Sequence, residues 1–135
     1  MAEFMGNPRG EGRRIVVVAS RFNESVTMPL AEGVAAQLLR CLDAAQRPLV
    51  LVGPSCMTRP GRAGMAALET AIGVPVVGME SPRGIADASL GAFAQMLAKA
   101  DCIVLVGKRL DFTLAFGRAP AFDQSCRWLQ IDADD

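Results

Sequence analysis

Hydrophobic and polar positions alternate in blocks along the chain. Short apolar runs rich in Val, Ile and Leu are separated by longer segments whose apolar residues recur every three or four positions. Continuous apolar runs are typical of strands buried on both faces, and the longer segments of amphipathic helices. The pattern predicts strands at 15–19, 49–52, 74–77, 103–106 and 128–131, helices at 29–45, 61–72 and 89–98, and a short helical turn at 112–116.

Capping and breaking residues predict where these helices begin and end. Thr27 and Pro29 suit the start of the first helix, because a hydroxyl can cap it and proline is tolerated in the first turn. Gly73 predicts the end of the second helix, and Ser89 the cap of the third. The first helix should end before Pro48, since the residue preceding a proline is pushed out of helical geometry.

Strands that alternate with helices predict right-handed crossovers and a parallel sheet. The fold class is therefore α/β: an open three-layer structure of about five parallel strands with helices on both faces, Rossmann-like. A length of 135 residues favours one domain. Residues 1–13 are polar and glycine-rich, and we interpret them as a tail or expression scar, with a single α/β domain over 14–135.

The amino-acid composition excludes several classes of function. Fourteen basic residues balance fourteen acidic ones, so neither a nucleic-acid partner nor an anionic membrane surface is expected. No apolar run approaches the ~20 residues of a membrane span and no secretory signal is visible, which favours a cytoplasmic protein. Four cysteines without a CxxC pair, and no histidine, predict no metal site. Without histidine a Ser-His-Asp or Cys-His mechanism is excluded, and we assign no catalytic residue.

A candidate ligand site lies at the carboxyl ends of the predicted strands, where open parallel sheets bind ligands. Glycines at 53, 78 and 107 would let the backbone approach a ligand, and Arg83, Lys108 and Arg109 could meet phosphate oxygens. Asp132 could accept hydrogen bonds from ribose hydroxyls. Two alternatives stay open: the glycines only serve turns, and Asp111 only starts a helix or forms a local ion pair with Arg109. Neither GxGxxG nor GxxxxGK[ST] occurs.

Four segments carry a family resemblance in their order along the chain. RPLVLVGPS, GVPVVGMESPRG, ADCIVLVGKRLDFTLAFG and RWLQIDAD resemble the central domain of thiamine diphosphate-dependent enzymes, over about residues 44–135. That family includes acetolactate synthase, oxalyl-CoA decarboxylase and benzoylformate decarboxylase. Where the family has a triple-glycine turn, this chain has Gly53-Pro54-Ser55, and a proline lacks the N–H that a pyrophosphate would meet.

The resemblance implies a role inside a larger decarboxylase or carboligase-type enzyme. Flanking pyrimidine-binding and diphosphate-binding domains would hold thiamine diphosphate and Mg²⁺, and this chain alone would lack catalytic activity. The central domain would bind ADP or FAD, or serve only as a scaffold, and an excised domain would self-associate through exposed apolar surface. By resemblance, the nucleotide-contacting positions are Gly53, Ser81, Arg83, Gly107, Arg109, Asp111 and Asp132.

The N-terminal third has a different resemblance. RIVVVASRFNESVTMPLAEGVAAQLL, within residues 14–40, is similar to the opening strand and helix of lumazine synthase. In that enzyme the corresponding loop, here with Phe22 and Asn23, helps bind the pyrimidine substrate. The alternative hypotheses are an engineered or fusion α/β domain without a ligand, and a small binding module built on the Phe22–Asn23 loop.

Overall fold

The computed structural model describes residues 15–17 and 24–131. Its strands and helices are β1 (Ile15–Val17), α1 (Glu24–Asp43), β2 (Pro48–Val52), α2 (Arg59–Ile72), β3 (Val76–Gly78), α3 (Phe93–Lys99), β4 (Cys102–Val106) and β5 (Arg127–Ile131). Short 3₁₀ turns occur at Pro54–Cys56, Gly84–Ala86, Ala88–Leu90 and Phe112–Gly117. No helix within these ranges is both long and apolar enough to cross a membrane.

The five strands form one sheet in the order β1-β5-β4-β2-β3, and every neighbouring pair is parallel. The register places Val104 of β4 opposite Val50 of β2 on one side and Leu129 of β5 on the other. The predicted parallel α/β sheet is thereby confirmed. Each predicted strand overlaps an observed one, and the apolar runs of β2 and β4 fill the core.

Two apolar layers cover the two faces of the sheet. Alternate strand residues such as Leu51 and Leu105 pack with Leu97 of α3 and with the 3₁₀ turns. The intervening residues, such as Val50 and Val104, pack against α1 and α2. Because successive side chains of a strand point to opposite faces, a continuous apolar run supplies both layers at once. The predicted three-layer arrangement is confirmed.

Two helix starts differ from the sequence expectation. The first helix begins at Glu24, so Thr27 and Pro29 lie inside it and do not mark its start. A proline at this position removes one backbone hydrogen bond of the helix. Proline is favoured in the first turn of a helix but is not restricted to it, so Pro29 did not mark the start. The third helix begins at Phe93, because Gly91 adopts φ 55° and ψ −125° and interrupts it. Ser89 therefore lies in the preceding 3₁₀ turn, and its N–H is capped by Asp87 at 3.0 Å.

The second helix matches its expected end. Gly73 has φ 65° and its N–H donates to the Glu69 carbonyl oxygen at 2.9 Å, which confirms the predicted stop. At the other end the Thr58 hydroxyl accepts from the Gly61 N–H at 3.2 Å, so the helix starts two residues before the expected position. Thr58 is a hydroxyl cap of the ordinary kind.

Asp101, which immediately precedes β4, links the amino ends of three strands through its carboxylate and its backbone carbonyl. Asp101 accepts from the N–H groups of Gln46 and Arg47 at 2.8 and 2.9 Å, ahead of β2. Its carbonyl accepts from the Arg127 N–H at 3.0 Å, where β5 begins. Burial raises the pKa of Asp101, but the hydrogen bonds from Gln46 and Arg47 outweigh it, so the pKa lies below its usual value. β2, β4 and β5 are thus aligned at their amino ends, and they also end at the same level of the sheet.

Candidate functional site

The loops that follow β2, β3 and β4 meet at the carboxyl end of the sheet. The Gly53 N–H donates to the Val106 carbonyl oxygen at 2.9 Å, and the Met79 N–H to that of Val52 at 2.9 Å. The Gly107 N–H donates to the Ile131 carbonyl oxygen at 2.8 Å. Each loop therefore begins by extending the ladder of a neighbouring strand, which brings the loops that contain the predicted ligand-binding residues into contact.

Gly53 and Gly107 approach each other closely in this region. A Cβ atom on Gly53 would lie 1.8 Å from the Gly107 carbonyl oxygen, which no side chain could tolerate. The Ser55 hydroxyl donates to the same carbonyl at 3.1 Å. Gly107 itself has φ 57°, and a Cβ there would lie 2.6 Å from the Cys56 sulfur. The space that glycine leaves open beside these residues is filled by the chain itself.

At two further glycines a side chain would also overlap a neighbouring part of the chain. A Cβ on Gly84, which has φ 60°, would lie 1.9 Å from the Thr113 carbonyl oxygen. A Cβ on Gly78 would lie 2.4 Å from the terminal methyl of Met57. The loop after β3 is therefore held against the loop after β4 by close backbone approach, and the end of β3 is packed against a side chain of the loop after β2. Gly78, expected to face a ligand, is packed against a methionine.

Lys108 points into the protein and not toward the solvent. Its side chain is 8% exposed, and its Nζ donates to the Thr113 hydroxyl at 2.7 Å and to the two Asp111 carboxylate oxygens at 3.2 and 3.3 Å. A buried ammonium needs such partners, because its desolvation is otherwise uncompensated. The expectation that Lys108 faces a phosphate is therefore wrong in this structure.

Asp111 starts a turn and forms a local ion pair, but its partner in that pair is Lys108 and not Arg109, which the sequence suggested. Asp111 starts the turn Phe112–Gly117 by accepting from the Thr113 N–H at 2.9 Å. The Thr113 hydroxyl also donates to Asp111 at 2.5 Å. Burial raises the pKa of Asp111, but the hydrogen bonds from Thr113 and Lys108 outweigh this, and the pKa lies below its usual value. Thr113 was missed by the sequence analysis, although Asp-x-Thr is a recognisable capping pattern.

The turn that follows Asp111 has an unusual backbone. Ala115 and Phe116 have φ 46° and 53°, a left-handed conformation that non-glycine residues rarely adopt. The Phe116 N–H donates to the Asp111 carbonyl oxygen at 2.9 Å, which closes the turn. Phe112 and Phe116, both on this turn, are 68% and 46% exposed. No pattern in the sequence signals this conformation.

Ser81 is held by a carboxylate within its own loop. Its hydroxyl donates to Asp87 at 2.6 Å and accepts from the Arg83 N–H at 3.2 Å. Hydrogen bonds from Ser81 and then from Ser89 lower the pKa of Asp87 to about 2, from an ordinary value of 3.8. Asp87 organises this loop and was also missed, because an isolated aspartate gives no sequence signal of its partners.

Two exposed guanidinium groups lie on these loops. Arg83 follows β3 and Arg109 follows β4, and both residues are exposed. Asp132 lies outside the described residues, as do Phe22 and Asn23. Contact of a nucleotide with Gly53, Ser81, Arg83, Gly107, Arg109, Asp111 and Asp132 stays a prediction.

Two concave regions lie elsewhere on the described chain. One, of about 510 Å³, is bounded by the end of α3 and the 119–124 segment, at the amino end of the sheet. The other, of about 100 Å³, lies between α1 and β5 and is mostly apolar. Neither includes a predicted ligand-binding residue.

The fold and these loops define the class of the domain. An open, fully parallel sheet with helices on both faces and close-packed, glycine-containing loops at its carboxyl end is a Rossmann-like α/β domain. Residues 35–135 match the family described as the thiamine pyrophosphate enzyme, central domain. The chain belongs to that family, as the four ordered segments predicted.

A second similarity concerns a shorter stretch. Over 39 residues the chain is 77% identical to a 6,7-dimethyl-8-ribityllumazine synthase of Gemmatimonas aurantiaca. The match covers 29% of this chain and 24% of that enzyme, so the chain spans about a quarter of the length of this curated relative. The lumazine synthase resemblance is thus confirmed as a local similarity.

The contact between Gly53 and Gly107 predicts the effect of adding one methyl group. We expect Gly53→Ala to lower the free energy of unfolding by about 3 kcal/mol, because an overpacked core site that cannot relax costs roughly this much. Gly64→Ala is the matched control, since no heavy atom lies within 4 Å of its Cβ position in α2. That change should raise stability by about 0.5–1 kcal/mol. Equal values for the two variants in urea denaturation would contradict the close contact.

The lowered pKa of Asp111 predicts a pH dependence of stability. Its contribution is present above the unfolded pKa, about 3.9, and is lost as the pH falls through the lower folded value. Between neutral pH and about pH 3, the free energy of unfolding should fall less in Asp111→Asn than in the unaltered chain. Thr113→Val should reduce the fall in the same way, whereas Thr113→Ser, which keeps the hydroxyl, should preserve it. Identical pH profiles for the chain and Asp111→Asn would refute this role.

Proposed function

We propose that this chain is the central domain of a thiamine diphosphate-dependent decarboxylase or carboligase-type enzyme, and that it acts there as a structural scaffold without catalytic activity of its own. The observation that carries the proposal is the contact of Gly53 with the Gly107 carbonyl oxygen. In a domain whose glycines admit a ligand, that space would be left for the ligand. Here the loops use it to hold one another.

The polar groups at the same end support this role. Lys108 and Asp111 satisfy each other, and Ser81 satisfies Asp87. The chain has no histidine and no tyrosine, so two common groups for acid–base catalysis are missing from it. Thiamine diphosphate and Mg²⁺ belong, in this proposal, to the flanking pyrimidine-binding and diphosphate-binding domains.

Exposed apolar side chains offer contact surface to those flanking domains, or to a second copy of the chain. Phe112 is 68% exposed, Met96 49%, Phe116 46% and Leu39 45%. Leu39 in α1 and Met96 in α3 lie on helices that cover opposite faces of the sheet, whereas Phe112 and Phe116 share one turn and form the better candidate for an interaction surface. The strained turn that holds Phe112 and Phe116 outward fits this use, since unusual backbone conformations cluster at functional segments.

A second candidate function is binding of ADP or FAD at the carboxyl end of the sheet. It is favoured by Arg83 and Arg109, two exposed guanidinium groups on loops that the Gly84–Thr113 contact holds together. In this version the two arginines bind the diphosphate and Asp132 binds a ribose hydroxyl. Pro54 weighs against it, because a backbone N–H is missing where the pyrophosphate would approach.

A fusion is the third candidate, favoured by the 77% identity over 39 residues to a lumazine synthase. In this version a lumazine-synthase-like first strand and helix are joined to a central-domain sheet, and no ligand is bound. It shares with the scaffold proposal the expectation that ADP and FAD do not bind.

Calorimetry with ADP and with FAD separates the nucleotide-binding function from the scaffold and fusion proposals. The scaffold proposal predicts no heat of binding up to millimolar ligand. Saturable binding would overturn it and favour the nucleotide-binding version. That version further predicts that Arg109→Ala weakens binding about tenfold, the usual loss for one charge-assisted hydrogen bond. Arg40→Ala, an exposed arginine near the end of α1, is the control and should leave affinity unchanged.

A further inference from the structure

The two outer strands of the family-matched part of the sheet differ in how well they are protected from pairing with another strand. Residues 35–135 contribute β2 to β5, whose outer strands are β3 and β5. β3 has three residues and follows Pro75, two features that protect an edge from pairing with another chain. β5 has five residues, Arg127–Ile131, and no proline. Without a covering segment, β5 would present an open row of backbone donors and acceptors.

The hydrogen bonds of β5 show which of its residues face outward. The Arg127 N–H donates to Asp101, just before β4, and the Ile131 carbonyl accepts from Gly107, just after it. Backbone groups of alternate strand residues point to the same side, so Arg127, Leu129 and Ile131 face β4. The N–H and carbonyl groups of Trp128 and Gln130 therefore point to the outer edge.

β1 lies along this outer edge in a defined register. Val16 is opposite Gln130, with Ile15 and Val17 opposite the residues on either side. In a parallel ladder a residue bonds to the two neighbours of its opposite residue. Gln130 thus donates to the Ile15 carbonyl and accepts from the Val17 N–H, whereas the Val16 N–H points away from β5. The covering strand precedes residue 35, where the family match begins.

β1 of the same chain occupies the outer edge of β5. We propose that this edge is a docking site for an extended, β-branched segment in parallel register, and that it also takes the β1 sequence when this is supplied from outside. The partner it fits is a strand that presents a carbonyl and an N–H two residues apart to Gln130, as Ile15 and Val17 do. Segments outside the family-matched region thereby complete the sheet. Releasing β1 opens the edge to the same sequence supplied from outside.

Two proline variants of the full chain test this site. Val17→Pro removes the N–H that faces Gln130, whereas Val16→Pro removes one that faces away, which an edge strand tolerates. Amide hydrogen exchange followed by NMR should show the Gln130 N–H exchanging at least about tenfold faster in Val17→Pro, with the Leu105 amide of β4 unchanged. Val16→Pro should retain protection. Equal exchange of Gln130 in both variants would overturn the register and the docking site.

A peptide of residues 13–20, RRIVVVAS, supplies the strand from outside. Added to Val17→Pro, it should restore protection of Gln130, and the same peptide with proline at the position of Val17 should not. Absence of any difference between the two peptides would overturn the docking site.

Dilution of the unaltered chain gives a test that needs no variant. Occupancy by β1 of the same chain predicts that protection of Gln130 is independent of protein concentration. Protection that disappears on dilution would overturn the intramolecular assignment and point to a strand from a second copy.

Discussion

The carboxyl end of the sheet depends on the close approach of Gly53 to the Gly107 carbonyl oxygen. A side chain at Gly53 would overlap that oxygen, at 1.8 Å from its Cβ position. The approach is possible because Gly53 and Gly107 both continue the ladders of neighbouring strands, through bonds to Val106 and Ile131. Backbone geometry at two strand ends therefore decides how the loops after β2 and β4 leave the sheet.

The polar network builds on that arrangement. Once Gly107 has turned the chain at φ 57°, Lys108 is directed inward and must be neutralised by Asp111 and Thr113. Those bonds fix the start of the turn Phe112–Gly117, on which Phe112 and Phe116 are exposed. The same turn presents the Thr113 carbonyl oxygen to Gly84, which fixes the loop after β3. A buried cation thus links backbone packing to the outer surface.

Much of the fold could be predicted, because burial leaves a direct trace in the sequence. Leu49 to Val52 and Ile103 to Val106 are apolar without interruption, and they are central strands. The position of β1 beside β5 is a long-range pairing that local pattern does not encode. The start of α3 was misplaced because the conformation of Gly91, and not the capping preference of Ser89, decides it.

The candidate site was harder to predict for a physical reason. A glycine that admits a ligand and a glycine that admits the chain's own carbonyl are identical in sequence, so Gly53 and Gly107 could be located but not interpreted. Lys108 and Arg109 are adjacent cations, and their order in the sequence does not show that Lys108 is buried against Asp111 and Thr113 while Arg109 is exposed.

Amide hydrogen exchange at Gly53 and Gly107, in the ligand-free chain and with ADP, tests the central claim most directly. If the loops lock onto each other without a ligand, both amides exchange only through global unfolding, at the rate of core strand amides such as that of Leu105. ADP then leaves these rates unchanged. Exchange through local opening that slows when ADP is added would contradict the account, because it would mean that the loops close around a ligand.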